Sequence, residues 1–299
     1  MSKRSWHVLG CGAIGSIFAE GLHDSGCPVT VLARATRSPS VEIRIERDDS
    51  VRTIRLPCSD ANDDEPISHL LVTTKAYDVV PALNSVSDRL TAESQVLVMA
   101  NGMGFAQELA TASSMIRPYF GTTTEGAHRS EPYRVQHAGG GSTLIGRSGQ
   151  STAPDWFDDW RDVTDDCRWE ADIELALWRK LAVNCAINPL SAINNCRNAD
   201  LLQRESLRHQ LHRLCLEIAR VCRAAGYPAV AENLPQVVER VIHGTASNYS
   251  SMLQDLRAGR RTEIDYITGY LVNIAENHGI DAPANRALLG EIQNLGNST

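Results

Sequence analysis

The sequence predicts a two-part α/β protein: a doubly wound, mostly parallel sheet followed by an all-helical domain. Three observations predict it. Short runs of β-branched and aliphatic residues alternate with helix-like stretches through the first half. A glycine triplet, GCGAIG, joins the first of those runs to the first helix. Beyond about residue 170 the strand-like runs stop, and helical periodicity continues to the end. Strands separated by helices imply parallel pairing with both faces of the sheet covered. The expected division is therefore 1–170 and 171–299.

The elements follow in order. Residues 6–9 are a short apolar strand, and a helix is expected over 14–24. Residues 28–33 (PVTVLA) are a second strand. Residues 41–47 and 51–56 alternate with period two around Asp48, Asp49 and Ser50, which predicts a hairpin. Residues 70–74 (LLVTT) and 96–99 (VLVM) are further buried strands with a helix-like stretch between them. Residues 133–137 and 143–145 are expected as an antiparallel extension. The acidic run 151–166 is expected at the surface. In the second half, helix breaks are expected near Asn188-Pro189, Gly226-Tyr227-Pro228, Gly244 and Gly279.

Composition excludes several classes. The chain has 299 residues, is 42% hydrophobic and carries a net charge of −7 with both signs dispersed. That is enough apolar material for a core, and no basic block is present to follow a phosphate backbone, so nucleic acid is not an expected partner. The apolar run after Lys3 and Arg4 is broken by Gly10 and Gly12, unlike a signal peptide. No segment has the roughly 18 apolar residues of a membrane span. The eight cysteines form no CxxC pair and no metal-type cluster with histidine. A reducing, cytoplasmic setting without a bound metal is the expectation.

GCGAIG places Gly10, Gly12 and Gly15 in a GxGxxG pattern between a strand and a helix, with Cys11, Ala13 and Ile14 in the same turn. In this frame Gly10 makes the tight turn, Gly12 lets the backbone approach a pyrophosphate, and Gly15 allows close helix–strand contact. The helix N-terminus offers N–H groups to the anion. The frame is that of a Rossmann-type dinucleotide-binding domain. After the second strand stands Arg34, with Arg37 three residues on, where NAD-binding folds carry Asp or Glu. A guanidinium pairs with a 2′-phosphate that a carboxylate would repel, so NADP(H) is favoured.

In WRKLAVNCAINPL, Lys180, Asn184 and Asn188 lie four apart. Successive members turn by only about 40° around a helix, so they form one polar stripe on an otherwise apolar surface. A lysine there either lines a wet cavity or snorkels from a domain edge. In a cavity, its ammonium polarises a carbonyl and supplies a proton as hydride arrives. The asparagines would hold substrate oxygens, with Asn188 placed at a kink or helix end by Pro189. In NYSSMLQDLRAGRRTEID, Ser250 and Ser251 suit a carboxylate or hydroxyl. Glu263 is expected to open a helix and to pair with Lys180 or the cofactor. A helix–turn–helix with solvated charges is the alternative for that stretch.

Taken together, GCGAIG, VTTKAYD, ANGMG, GTTTEGA, ELALWRKLAVNCAINPLSAINN and SSMLQDLRAGRRTEIDYITGYL resemble the ketopantoate reductase (2-dehydropantoate 2-reductase) family. The resemblance runs from about Trp6 to about Pro283. It implies NADPH-dependent reduction of ketopantoate to pantoate, a step of pantothenate and coenzyme A biosynthesis. It implies Lys180 as general acid, and Asn184, Asn188, Asn198 and Ser251 as substrate-binding residues. Asn101 would stand beside the nicotinamide, Lys75 would help place cofactor and substrate, Ala127 would touch the cofactor through its backbone, and Glu263 would contact it. Arg34 would hold the 2′-phosphate, as the residues themselves suggest. Two departures stand out: Glu125-Gly126 replaces His-Ala or a similar pair, and Gly259 replaces a bulkier residue, which would loosen its turn. Reduction of a different 2-oxo acid, or a non-catalytic NADP-sensing role, are the alternative functions. Monomer and homodimer both remain open.

Overall fold

The computed structural model describes residues 3–33, 38–60, 63–112 and 116–297. They divide into two compact units. One comprises residues 1–100 and 105–176; the other comprises 101–104 and 177–299.

The first unit begins with β1 (Trp6–Leu9), α1 (Ala13–Asp24), β2 (Val29–Leu32), β3 (Ser40–Arg47), β4 (Ser50–Ser59) and β5 (His69–Val72). It continues with α2 (Val79–Asn84), β6 (Gln95–Val98), α3 (Phe105–Ala112), β7 (Tyr119–Thr123), β8 (Gly126–Glu131), β9 (Arg134–Gly139), β10 (Ser142–Gly146) and β11 (Asp166–Trp169). The strands lie in the order β11-β10-β7-β6-β5-β1-β2-β4-β3-β9-β8. Pairing from β7 through β6, β5, β1 and β2 to β4 is parallel. The chain runs outward from β1 to β2 and later returns to the other side of β1 for β5. The strand order therefore reverses at the β1/β5 boundary, where open α/β sheets bind ligands beyond the strand carboxyl ends. The four residues of β1 are all buried, and α1 packs on β1, β2, β3, β8 and β9.

The predicted hairpin forms as β3 and β4, paired across Arg47↔Ser50. The 133–137 and 143–145 strands form as β9 and β10, but they do not pair with each other. They belong to one long bent ribbon: β8 pairs antiparallel with β9, and β7 with β10. At the bend, Thr124 and Glu125 separate β7 from β8, and Gly140 and Gly141 separate β9 from β10. Thr124 N donates to Ser142 O (2.9 Å) and Gly141 N to Glu125 Oε1 (2.8 Å), so pairing continues through the corner. The ribbon leaves one half of the sheet and rejoins it at the far edge, beside β3.

The expectation for 151–166 holds for Asp155, Asp158, Asp162 and Asp165, which are exposed, but not for the aromatics among them. Asp155–Asp159 is a 3₁₀ helix, and Trp156, Phe157 and Trp160 are buried. Trp6 meets Trp156 and Trp160 edge-on, each at 5.5 Å. Trp6 Nε1 donates to the buried Asp159 carboxylate at 3.2 Å. The aromatic rings turn inward and gain by burial, while Asp155, Asp158 and Asp162 keep their carboxylates in water.

The second unit is helical: α4 (Ile173–Ile193, entering from the first unit), α5 (Asp200–Gln203), α6 (Glu205–Ala224), α7 (Pro228–Ala231), α8 (Leu234–Gly244), α9 (Ser251–Arg257), α10 (Thr268–Asn277) and α11 (Pro283–Asn297). The break expected at Asn188-Pro189 does not occur, because α4 continues through Pro189 to Ile193. Proline there removes the N–H that would otherwise bond the Cys185 carbonyl; beside it, the Asn188 carbonyl accepts from the Ser250 hydroxyl (3.4 Å), which in turn accepts from Ser191 (2.8 Å). Gly259 does not loosen its turn: it sits at φ +61° just past α9, a helix-end conformation that suits glycine.

Candidate active site

The glycine turn is built as its spacing requires. Gly10 has φ +93°, and a Cβ there would lie 2.7 Å from Thr74 N. A Cβ on Gly15 would overlap Thr73 Oγ1 and lie 2.6 Å from Gly10 O. Thr73 Oγ1 donates to Gly10 O at 2.8 Å, tying the turn to the end of β5. Gly12 differs, because the nearest atom to a Cβ there is 3.9 Å away. Internal packing therefore accounts for Gly10 and Gly15 but not for Gly12, whose missing side chain leaves a cradle for an external group. Gly12 is the N-cap of α1 and makes no side-chain cap, so the first-turn N–H groups of Ala13, Ile14 and Gly15 face that cradle. This arrangement fits a dinucleotide pyrophosphate.

A Gly12→Val substitution is expected to weaken NADPH binding about tenfold or more, by filling space beside the anion. The melting temperature should stay within about 3 °C, because the folded chain has room for the side chain. Unchanged affinity in a fluorescence titration would count against the cradle.

Lys75 follows β5 and is half-buried. Because Leu9 pairs with Val72, it leaves the sheet at the same edge as the glycine turn. Ala127, the second residue of β8, packs, with Cys11, Ala13 and Ile14, against the first unit's core. Cys11 Sγ lies 3.4 Å from Ser16 Oγ, and burial pushes its thiol up to about 11. Arg34 lies outside the described residues.

In the second unit, Lys180 and Asn184 are half-buried on α4 and Asn188 is buried. The Lys180 ammonium is densely surrounded. Burial lowers it from 10.5 to about 8, while the Glu263 carboxylate pulls the other way. Trp178, two residues before Lys180, stacks on Tyr227 at 4.8 Å and meets Tyr270 at 5.9 Å, fixing this part of α4. Glu263 is 4% exposed. It caps a short 3₁₀ helix, Ile264–Tyr266, instead of opening the long helix that its sequence suggests; Thr268 opens α10. Asn101 Nδ2 donates to Glu263 at 3.4 Å. The ANGMG turn is held there by Met103 N donating to Tyr266 O at 2.7 Å. Gly102, at φ +88°, passes too close to Tyr266 for any Cβ.

The two serines divide their work. Ser250 caps α9 through Leu253 N and accepts from Ser191 at 2.8 Å, so its hydroxyl is committed within the fold. Ser251, the first residue of α9, is exposed. Asn198 is buried and donates to Thr245 at 2.9 Å, and its backbone N–H donates to Asn248 O. Its Oδ1 is buried with no partner in the fold. Thus Asn101, Lys180 and Glu263 form one electrostatic group. Asn188 and Asn198 are tied to the segment leading into α9 by way of Ser250 and Asn248. Sequence reasoning missed Ser191, although its position three residues after Asn188 on one helix face signals it.

Among the described residues no group of His, Cys, Asp and Glu is arranged to hold a metal ion. None of their helices is long and apolar enough to cross a membrane.

Comparison with known proteins agrees along most of the chain. Residues 6–150 match the family described as Ketopantoate reductase PanE/ApbA, and residues 172–295 match its C-terminal part. The 2-dehydropantoate 2-reductase of Shigella flexneri is 38% identical, over 94% of this chain and 91% of that protein. Its counterpart in Vibrio cholerae is 37% identical over 96% of each. Among solved structures, a PanE/ApbA family ketopantoate reductase from Ralstonia eutropha superposes with a TM-score of 0.84 at 24% identity, covering 98% of this chain and 99% of that one. A D-mandelate dehydrogenase solved with NADH and anilino(oxo)acetate reaches 0.86 at 22% identity, with the same coverage. With both parts of the family model matched and relatives above 30% identity over nearly the full length, the chain belongs to the ketopantoate reductase family.

Proposed function

We propose that the chain reduces 2-dehydropantoate to pantoate with NADPH, the first unit holding the pyrophosphate and the second carrying substrate and proton-transfer groups. The observation that carries this reading is Lys180. Its ammonium sits on a densely packed helix with its pKa lowered to about 8 and with Glu263 in electrostatic reach. A general acid works best when its pKa lies near the operating pH.

Bound NADPH supplies the hydride. Gly10, Cys11, Gly12, Ala13, Ile14 and Gly15 hold the pyrophosphate, and Arg34 pairs with the 2′-phosphate. Lys75, Asn101, Ala127 and Glu263 line the cofactor. Asn184, Asn188, Asn198 and Ser251 bind the carboxylate and hydroxyl of the substrate. Lys180 hydrogen-bonds to the ketone oxygen, polarises it, and donates its proton as negative charge develops there. Glu263 keeps the ammonium charged enough for that donation. Asn198 supports its assignment with an acceptor oxygen that the fold leaves unused.

The partner is a small 2-oxo acid, and the enzyme acts as a monomer or homodimer in the cytoplasm. All eight cysteines are free thiols, which supports a reducing compartment.

The test is NADPH oxidation followed by absorbance with ketopantoate, with parallel runs on other branched 2-oxo acids and with NADH. The proposal expects ketopantoate with NADPH to have the highest kcat/KM. A higher value for another 2-oxo acid would move the assignment to that substrate. NADPH binding without oxidation on any of them would leave a sensor and not an enzyme.

A further inference from the structure

We infer that Arg129, on β8, is a second cation for the adenosine 2′-phosphate of the dinucleotide. This inference rests on the NADPH reading above. It starts from register. Ala127, His128 and Arg129 pair regularly with His137, Gln136 and Val135, so Ala127 and Arg129 leave the same face of β8. Val135, directly opposite Arg129, is buried, and Ala127 packs on the first unit's core together with Cys11, Ala13, Ile14, Cys58 and Tyr133. The face that carries Arg129 is thus the face turned toward the glycine turn, and Arg129 stands at its exposed margin.

Cys58 locates that margin. It pairs with Val31, and Ser59 pairs with Leu32, the last residue of β2. The end of β2 is where this fold discriminates the ribose 2′ position. The Arg129 charge reaches both sides of this corner. It draws the Cys11 thiol downward against the rise that burial imposes, and acts in the same sense on the Tyr133 phenol.

The surrounding arginines make Arg129 distinctive. Arg44 pairs with Glu46, Arg55 with Glu42, Arg134 with Glu131, and Arg47 and Arg52 with Glu20. Among the described residues, no carboxylate pairs with Arg129. A guanidinium beside the nucleotide turn, with its neighbours matched and itself unmatched, is suited to an anionic ligand. Adenosine 2′,5′-bisphosphate supplies that anion without the nicotinamide.

The experiment is calorimetric titration of adenosine 2′,5′-bisphosphate and of AMP into wild-type protein, Arg129→Ala and Arg129→Lys. The wild type should prefer the bisphosphate. Arg129→Ala should raise its Kd about tenfold, equivalent to about 1.4 kcal/mol, and should leave AMP nearly unchanged. Arg129→Lys should recover part of the loss. An unaltered bisphosphate-to-AMP ratio in Arg129→Ala, or equal weakening of both ligands, overturns the 2′-phosphate role. A wild type without preference overturns the NADPH reading, and this inference with it.

Discussion

Replacing Lys180 by alanine is expected to lower kcat for ketopantoate reduction about a thousandfold, or roughly 4 kcal/mol of transition-state stabilisation. NADPH affinity should change by less than about twofold, because the loss falls on proton transfer and not on cofactor binding. The wild-type pH profile carries the same signature. The reduction needs the protonated ammonium, and burial has lowered Lys180 to about 8. The rate should therefore hold level below pH 8 and fall above it in proportion to the protonated fraction. In Lys180→Ala that alkaline limb disappears. Glu263→Gln removes the charge that raises Lys180, so its limb moves to lower pH. Steady-state kinetics from pH 6 to 10 test all three statements. Unchanged turnover in Lys180→Ala would remove the lysine from the mechanism, and a limb that ignores Glu263→Gln would remove their coupling.

Glu125→Ala is expected to cost about 3 kcal/mol of stability, a drop of roughly 6–12 °C in melting temperature. The carboxylate is buried at the ribbon bend. His137 Nε2 donates to it at 2.7 Å and Gly141 N at 2.8 Å. Alanine would leave both half-buried donors without their acceptor. The two strands of the bend are also tightly set here, because a Cβ on Gly141 would stand 2.6 Å from Glu125 N. Glu125→Gln keeps an acceptor in place and should cost only about 1 kcal/mol. Differential scanning calorimetry separates the two. If Glu125→Ala melts within about 1 °C of wild type, the clamp is ornamental.

These two results bear on how much the sequence disclosed. The stripe of Lys180, Asn184 and Asn188 was legible because a helix repeats its face every few residues, and the glycine turn because its positions have separate steric jobs. The Glu125 clamp was not legible: GTTTEGA and the glycines after His137 carry no periodicity, and only the folded ribbon sets Gly141 against Glu125. The strands β7, β8 and β11 were missed for the same reason, being short and rich in Gly, Thr and charge. The buried aromatics of 151–166 were hidden by a high local density of aspartate. Pro189 misled because its cost is one backbone hydrogen bond in a helix that is otherwise buried throughout that turn.

Asn101 shows a different limit, and it bears on modularity. Residues 101–104 interrupt the first unit's chain yet belong to the helical unit, where Asn101 meets Glu263 and Gly102 lies against Tyr266. A fragment cut at residue 177 would lack them. A chimera that joined the helical half of one relative to the sheet half of another would inherit this turn from the wrong parent. The two halves are therefore not interchangeable cassettes. Recombination between relatives that preserves the Lys180–Glu263 group must carry four residues from well upstream of the crossover.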